Sequence, residues 1–185
     1  ALGTLQLDRI RAVLPEGETV DAPDNDDAPA PRALADVVAM GASTIVWIGL
    51  PLMDRYGPNC KFDSEDLPRQ VRFRRGFSKV SDLHAGGAET EVPVARKNLR
   101  LLVEGDSRED YVTLPIAKLA RNNAGRFTID TSFIPPALTI DAVPRLTEIV
   151  RRLADIVLAK TESLSNIRRE RANQLVEYGS ADTAS

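Results

Sequence analysis

A pair of consecutive prolines, Pro135 and Pro136, divides this sequence into two parts with different hydrophobic patterns. Proline lacks a backbone N–H and holds the preceding residue in an extended conformation, so neither an α-helix nor a central strand can pass through the pair. Short runs typical of β-strands come before it, and a long helical pattern comes after it. We therefore predict a rigid corner between two domains at Phe133, Ile134, Pro135 and Pro136, with Phe133 and Ile134 as its apolar anchors.

The pattern after the corner predicts one extended helix. Pro144 suits the first helical turn, where its missing N–H would have no intrahelical partner. At about 1.5 Å per residue, roughly 35 residues give a helix of about 50 Å, longer than a small β domain needs to cover its face. We predict packing in a bundle within or between chains, with packing on its own domain as the alternative. The apolar stripe at helical spacing is Leu146, Ile149, Leu153, Val157, Leu164 and Ile167.

The part before the corner contains many short candidate strands. A hairpin is predicted from Leu5 to Val20 around the turn at 15–18, and the apolar run Thr44–Leu52 is predicted to be a core strand covered on both faces. Further strands are predicted at 70–83, 92–94, 98–104, 111–119 and 126–130, with a turn at 122–125. The predicted fold is mainly β: an antiparallel β-sandwich over residues 1–141, followed by a long α-helix that begins a helical domain at 142–185.

Several segments are predicted to be solvated. Residues 21–32 are rich in acids and proline, which favours a surface loop, with an acidic contact patch as the alternative. Residues 54–68 are predicted to form a long excursion. The cluster Arg72, Arg74 and Arg75 is predicted to lie on a solvated strand face, and a phosphate site is the alternative. His84 is predicted to be a surface histidine in a flexible tip at 84–87. One or two helical turns are possible at 34–40.

Composition excludes several classes of protein. Twenty-four Lys and Arg against 27 Asp and Glu give a net charge of -3 and a pI near 5.3, which does not attract nucleic acid or anionic lipid. Cys60 is the only cysteine, so an intrachain disulfide is excluded, and one cysteine with one histidine cannot form a structural zinc site. The longest apolar run, at 45–53, is too short to span a bilayer. A cytoplasmic setting fits these features, and the missing initiator Met suggests a fragment.

The sequence also lacks the common catalytic motifs. It contains no P-loop, no GxGxxG after a strand, no HExxH and no GxSxG. Pairs of carboxylates such as Asp24 with Asp26, or Asp63 with Glu65, fall in predicted loops, where acids are common without any tuned pKa. We therefore predict no catalytic residue, no metal, no cofactor and no small-molecule substrate, and expect the protein not to be an enzyme.

Three segments carry a resemblance to a known family. They are VPVARKNLRLLV at 92–103, YVTLPIAKLAR at 111–121 and GRFTIDTSFIPPALTIDAVPRL at 125–146. In this order they resemble the TssK family of type VI secretion baseplate subunits, also called VasE or ImpJ. The similarity covers nearly the whole chain and is weak at 21–32 and 54–68. The family's opening segment, and everything after its first long helix, are absent here, so the resemblance implies an N-terminal fragment.

The resemblance implies a structural role. It implies a β "shoulder" domain like that of phage receptor-binding proteins, followed by a helical bundle through which three copies form a homotrimer. In the family the N-terminal domain docks onto the baseplate wedge proteins TssF and TssG, and a C-terminal domain, absent here, reaches the membrane complex. The family has no catalytic motif to transfer. It implies a cytoplasmic protein that is membrane-associated as part of the baseplate.

Two main functional hypotheses follow, with a hydrolase as a third. The first is an adaptor that connects the baseplate wedge to the membrane complex, with binding energy from apolar helix and sheet surfaces, of which this fragment is the wedge-binding part. The alternative is a free-standing carbohydrate- or peptide-binding β-sandwich with a stalk helix. A concave pocket lined with aromatic residues would favour the alternative. Five Phe, three Tyr and one Trp supply such a pocket poorly.

Overall fold

A computed structural model describes residues 3–34, 38–39, 41–62, 69–81, 84, 87 and 89–181, with side chains described up to residue 172. The chain divides into two compact units, residues 1–136 and 137–185. We call them the β unit and the helical unit. All regular elements described in the β unit are strands. The helical unit contains a short 3₁₀ helix and a long α-helix. The prediction of a mainly β, antiparallel domain followed by a long helix is confirmed.

In the described part of the chain, eleven strands precede the first helix, which begins at residue 140. The strands are β1 (Thr4–Leu5), β2 (Ile10–Val13), β3 (Thr19–Ala22), β4 (Arg32–Ala33), β5 (Ser43–Pro51), β6 (Cys60–Lys61), β7 (Phe73–Ser81), β8 (Glu89–Lys97), β9 (Arg100–Val103), β10 (Tyr111–Arg121) and β11 (Phe127–Ile129). The 3₁₀ helix is Ile140–Ala142, and the α-helix, α1, is Pro144–Ala181. The predicted helical turns at 34–40 fall partly outside the described residues.

The central sheet has four antiparallel strands in the order β11, β10, β5, β9. Val46, Ile48 and Leu50 alternate along β5 and are fully buried, because they face the hydrophobic core. Thr44–Leu52 is therefore a core strand as predicted. The prediction that both faces of this strand are covered was only partly right, because Ile45 and Trp47 on the opposite face are half-buried.

A second layer covers the core face of this sheet. Strands β2 and β3 form an antiparallel hairpin that contributes Leu14 and Val20 to the core, and β1 pairs with β4 next to the buried Leu34. The hairpin turn needs a glycine, because Gly17 has a φ of +91°, a conformation that other residues rarely adopt. The predicted hairpin and its turn are confirmed between Ile10 and Ala22, but Leu5 lies outside the hairpin, because it pairs with Arg32 of β4. The two layers give the β unit its sandwich architecture.

The third sheet is a long two-stranded ribbon, β7 with β8, joined at one edge by the short β6. β6 runs parallel to β7, which departs from the antiparallel rule of the other pairs. Pro93 lies on β8 at the edge of the sheet, where a missing N–H is tolerated. Val71 just before the ribbon is buried, but Phe77 and Val80 remain about half exposed. The ribbon therefore presents apolar side chains to solvent in the described structure.

Two predictions for the segments around this ribbon need correction. Residues 54–68 were predicted as a long excursion, and within it Cys60 and Lys61 form the short strand β6, which was not predicted; residues 63–68 lie outside the described part. Residues 21–32 were predicted as a solvated loop, but Asp26 and Pro29 are buried. His84 is exposed, as predicted, and its neighbours Ala85 and Gly86 are not described.

Candidate interaction surfaces

Helix α1 carries the predicted oligomerisation residues on one side. At 100° per residue, the six positions of the stripe fall within an arc of about 80°. Leu146 and Ile149 near the helix start are partly buried. The four later members are exposed, Leu153 at 55%, together with Val157, Leu164 and Ile167. Exposed apolar side chains at this spacing form a stripe that only Lys160 interrupts, and its binding to another helix stays a prediction.

Beyond its first turns, the polar side of α1 carries one large aliphatic residue among the side chains that the structure describes. Leu158 is 62% exposed and lies about 140° around the helix from Leu153, outside the stripe. Val150 and Ile156 flank the stripe and widen its apolar arc to about 120°. The stripe is therefore a distinct surface and not a consequence of a uniformly apolar helix.

The start of α1 is fixed by local hydrogen bonds. The backbone N–H groups of Leu146 and Thr147 donate to the carbonyl oxygen of Val143 at 3.0 and 3.2 Å. The Thr147 hydroxyl donates to the carbonyl oxygen of Ile140 at 3.2 Å. Helix α1 begins at Pro144, whose missing N–H costs no intrahelical bond there, as the sequence predicted.

The predicted corner residues lie at the end of the β unit, which closes with Pro136. Asp130 shapes the turn before them: its carboxylate accepts hydrogen bonds from the Ser132 N–H at 3.0 Å and the Ser132 hydroxyl at 2.6 Å. Phe133 is partly buried, whereas Ile134 is 40% exposed. The anchoring role stays a prediction, and these exposures favour Phe133 over Ile134 as the anchor.

Replacing Phe133 with alanine tests the anchor. Replacing a fully buried phenylalanine would cost about 3 to 5 kcal/mol of stability, but a partly buried ring should cost about half of that, roughly 1.5 to 2.5 kcal/mol. Replacing both Pro135 and Pro136 with alanine should cost about 1 kcal/mol, because the unfolded chain gains freedom. Urea denaturation followed by circular dichroism measures both. Phe133→Ala and Ile134→Ala with equal effects would contradict the choice of Phe133.

Acidic pH should destabilise the fold. A hydrogen bond from Arg11 lowers the pKa of Asp21, one from the Tyr56 N–H lowers the pKa of Asp54, and those from Ser132 lower the pKa of Asp130, each from 3.8. Because the unfolded chain then binds more protons, stability is present above the unfolded pKa and is lost as pH falls through the folded pKa.

We expect the urea concentration at the midpoint of unfolding to decrease as the pH is lowered from about 5 to about 3. Asp130→Asn should reduce that pH dependence, because the asparagine does not titrate. Asp8→Asn provides the control, since Asp8 makes no ion pair with another described residue. If both variants keep the full pH dependence, the hydrogen bonds to Asp130 do not control the acid response.

A buried arginine joins the hairpin to the ribbon. Arg72, just before β7, is only 3% exposed, and its guanidinium pairs with Glu16 and lies 3.5 Å from the Glu18 carboxylate. It also donates to the carbonyl oxygen of Pro51, the last residue of β5, at 3.1 Å. The prediction that Arg72 lies on a solvated face was wrong. The partners that bury it are 56 and 54 residues away, so no local pattern could have indicated them.

Lys97 extends this network. Its ammonium lies 3.2 Å from the Glu18 carboxylate and 3.1 Å from that of Asp26, and it donates to the carbonyl oxygen of Thr19 at 2.6 Å. Asp26 in turn accepts the N–H of Asp21 at 2.9 Å. We call Arg72, Lys97, Glu16, Glu18 and Asp26 the charge clasp. It explains why part of the acidic loop is packed, since Asp26 neutralises Lys97.

Metal-ligating groups and free thiols are sparse among the described residues. Within them, no three His, Cys, Asp or Glu side chains are grouped so that they could hold a metal ion. No helix in the described part of the chain has the length and apolarity needed to cross a membrane. Cys60 is a free, half-buried thiol. The features that stand out are the exposed apolar stripe of α1 and the charge clasp.

Comparison with known proteins points to the same family as the sequence segments. Residues 1–185 match the family described as bacterial type VI secretion, VC_A0110, EvfL, ImpJ, VasE. A curated relative, the type VI secretion system baseplate component TssK1 of Pseudomonas aeruginosa PAO1, is 30% identical over 88% of this chain. The chain spans 36% of that relative's length.

Solved structures of TssK share the fold. TssK in a TssK–TssF–TssG baseplate subcomplex, solved by cryo-electron microscopy, is 27% identical, with a TM-score of 0.79 over 92% of this chain and 56% of that one. TssK from the EAEC type VI secretion system, bound to a nanobody, is 26% identical, with a TM-score of 0.72 over 91% of this chain and 54% of that one. Since the family match extends over all 185 residues, the chain belongs to the VasE/ImpJ (TssK) family of bacterial type VI secretion proteins.

Proposed function

We propose that this chain is a structural component of a type VI secretion baseplate and that it forms the wedge-binding part of an adaptor. The observation that carries the proposal is the likeness, over most of the chain, to TssK in its complex with TssF and TssG. The β unit would bind TssF and TssG. Its binding energy would come from shape and side-chain contacts, as in other structural assemblies, and not from a reactive site.

The helical unit would begin the homotrimerisation domain of this adaptor. The stripe from Leu146 to Ile167, which is exposed from Leu153 onward, supports that role, because three such helices can bury their stripes against one another. We place the functional boundary between 141 and 142, close to the division of the compact units after residue 136. The full-length protein would act at the cytoplasmic side of the membrane, with a C-terminal domain reaching the membrane complex.

Co-purification tests the wedge-binding role. The tagged chain is expressed with TssF and TssG from the same organism and purified by affinity and size-exclusion chromatography. We expect the three proteins to elute together. In the control, an unrelated tagged β-sandwich domain is expressed with TssF and TssG instead of this chain. Elution of the chain apart from TssF and TssG, while TssF and TssG elute together, would overturn the proposal.

A further inference from the structure

The β unit contains a basic groove of about 380 Å³ beside β6 and β7. Its charged lining consists of Lys61, Arg69, Arg74, Arg75 and Arg100, with Asp27 as the one carboxylate among the described residues that line it. Five cations against one acid are unusual in a chain whose net charge is -3. The groove therefore concentrates positive potential at one place on an otherwise acidic protein.

The floor of the groove is held by buried polar contacts. The Asn98 side-chain amide donates to the carbonyl oxygen of Val71 at 2.9 Å, and the Asn98 backbone N–H donates to the carbonyl oxygen of Arg72 at 2.8 Å. Val71 and Asn98 are both buried. Gln70 accepts a hydrogen bond from Arg100, which fixes that guanidinium at the wall. A preformed floor reduces the ordering that a ligand would have to impose.

Four of the five cations lack an acidic partner within the described part of the chain. Arg69 is paired with Asp54, and Arg100 is bonded to a neutral amide. Lys61, Arg74 and Arg75 form no ion pair with any described carboxylate. Like charges held this close repel one another, so an added anion would relieve that repulsion.

Arg75 is held in place by aromatic rings. Its guanidinium carbon lies 4.8 Å from the ring centre of Phe77 and 5.9 Å from that of Phe62. Both rings are about half exposed. Stacking orients the guanidinium while its N–H edge stays available for a carboxylate, and the rings add an apolar rim. Arginine beside exposed aromatic residues is a composition typical of protein interfaces.

We propose that the basic groove binds an acidic segment of a partner protein, with its carboxylates on Arg74, Arg75 and Lys61 and an apolar side chain against Phe62. The inference rests on the proposed function in that the wedge is the partner expected to supply this segment. The net charge of -3 and the low pI disfavour a long polyanion such as nucleic acid, which needs a broad positive surface.

A peptide tests the groove without the wedge. The probe is a short fluorescein-labelled peptide of glutamates with one central leucine, and binding is followed by fluorescence anisotropy at low salt. The double variant Arg74→Glu, Arg75→Glu should weaken binding at least about tenfold, as expected when charge-assisted contacts become repulsive. The matched control is Arg168→Glu, Arg169→Glu on α1, which changes the net charge equally. Equal losses in both variants, or no binding by the wild-type chain, would overturn the inference.

Other occupants of the groove give different results. A single-stranded oligonucleotide or phosphatidylglycerol vesicles that bind more tightly than the peptide, and depend on Arg74 and Arg75, would replace the acidic segment with a phosphate ligand. Neutralising Asp63, Glu65 and Asp66, which lie outside the described residues, should change the peptide affinity by less than about threefold. A larger gain in affinity would mean that these acids of the chain itself compete with the peptide for the groove, and it would overturn the proposal.

Co-purification with TssF and TssG distinguishes this inference from the proposed function. We expect the Arg74→Glu, Arg75→Glu variant to lose TssF and TssG in the co-purification, while the Arg168→Glu, Arg169→Glu variant retains them. If the wild-type chain and the groove variant both retain the wedge, the groove inference fails and the proposed function stands. If the wild-type chain binds the peptide through Arg74 and Arg75 but not the wedge, the proposed function fails and the groove remains a binding site.

Discussion

Replacing Arg72 with alanine should lower the free energy of unfolding of the β unit by about 3 kcal/mol. The guanidinium is 3% exposed and contacts Glu16, Glu18 and the carbonyl oxygen of Pro51. Removing one partner of a buried ion pair costs about 3 to 5 kcal/mol, because the remaining charge is left uncompensated. Here Glu16 and Glu18 are each 36% exposed, so water can reach them and the loss should fall at the lower end of that range.

Arg74→Ala is the matched control. Arg74 lies two positions further along, is exposed, and has no ion pair with a described carboxylate, so its replacement should change stability by less than about 0.5 kcal/mol. Urea denaturation measures both, with the fluorescence of Trp47, the single tryptophan, as a probe inside the β unit. Equal effects of Arg72→Ala and Arg74→Ala would mean that the charge clasp does not hold the hairpin to the ribbon.

A second comparison separates charge pairing from packing. Glu16→Gln with Glu18→Gln removes both negative charges while keeping similar side-chain shapes. In that background Arg72→Ala should cost less than in the wild type, because part of its interaction is already gone. An Arg72→Ala effect that is the same in both backgrounds would assign the stability to the buried stem of the arginine and not to the ion pairs.

The elements that sequence predicted well are those specified by local patterns. β5 is rich in β-branched and apolar residues, the turn at 122–125 ends in Gly125 with a φ of +78°, and α1 follows from a helical period after Pro144. Each depends on residues within a few positions of one another. The pairings of β1 with β4 and β6 with β7 involve two residues per strand, too few for any periodicity to predict them.

The charged surfaces were predicted less well, because each of them combines residues that lie far apart in the sequence. Arg72 and Arg74 belong to the same basic run, yet one is buried in the charge clasp and the other lines the basic groove. The sequence shows the run, but not which arginine points toward Glu16. The apolar stripe of α1 was predictable because a helix has a fixed period, whereas the groove combines residues from 27 to 100.

Replacing Leu153 with aspartate should abolish self-association through the stripe, with at least a 100-fold increase in the dissociation constant. If three α1 helices bury their stripes against one another, one substitution places three carboxylates in an apolar seam. Burying an unpaired charge costs several kcal/mol, and every 1.4 kcal/mol is tenfold in affinity. Leu153 is 55% exposed in the single chain, so the substitution should not unfold it.

Leu158→Asp is the control for this change, because it introduces the same residue into the same helix and alters helix propensity equally. Leu158 is 62% exposed but lies about 140° around the helix from Leu153, so its side chain should face away from the seam. Sedimentation equilibrium over a range of protein concentrations should then show association of the wild type and Leu158→Asp, and monomers for Leu153→Asp. A wild-type chain that stays monomeric, or an assembly that survives Leu153→Asp, would mean that the stripe does not bind other copies of this chain.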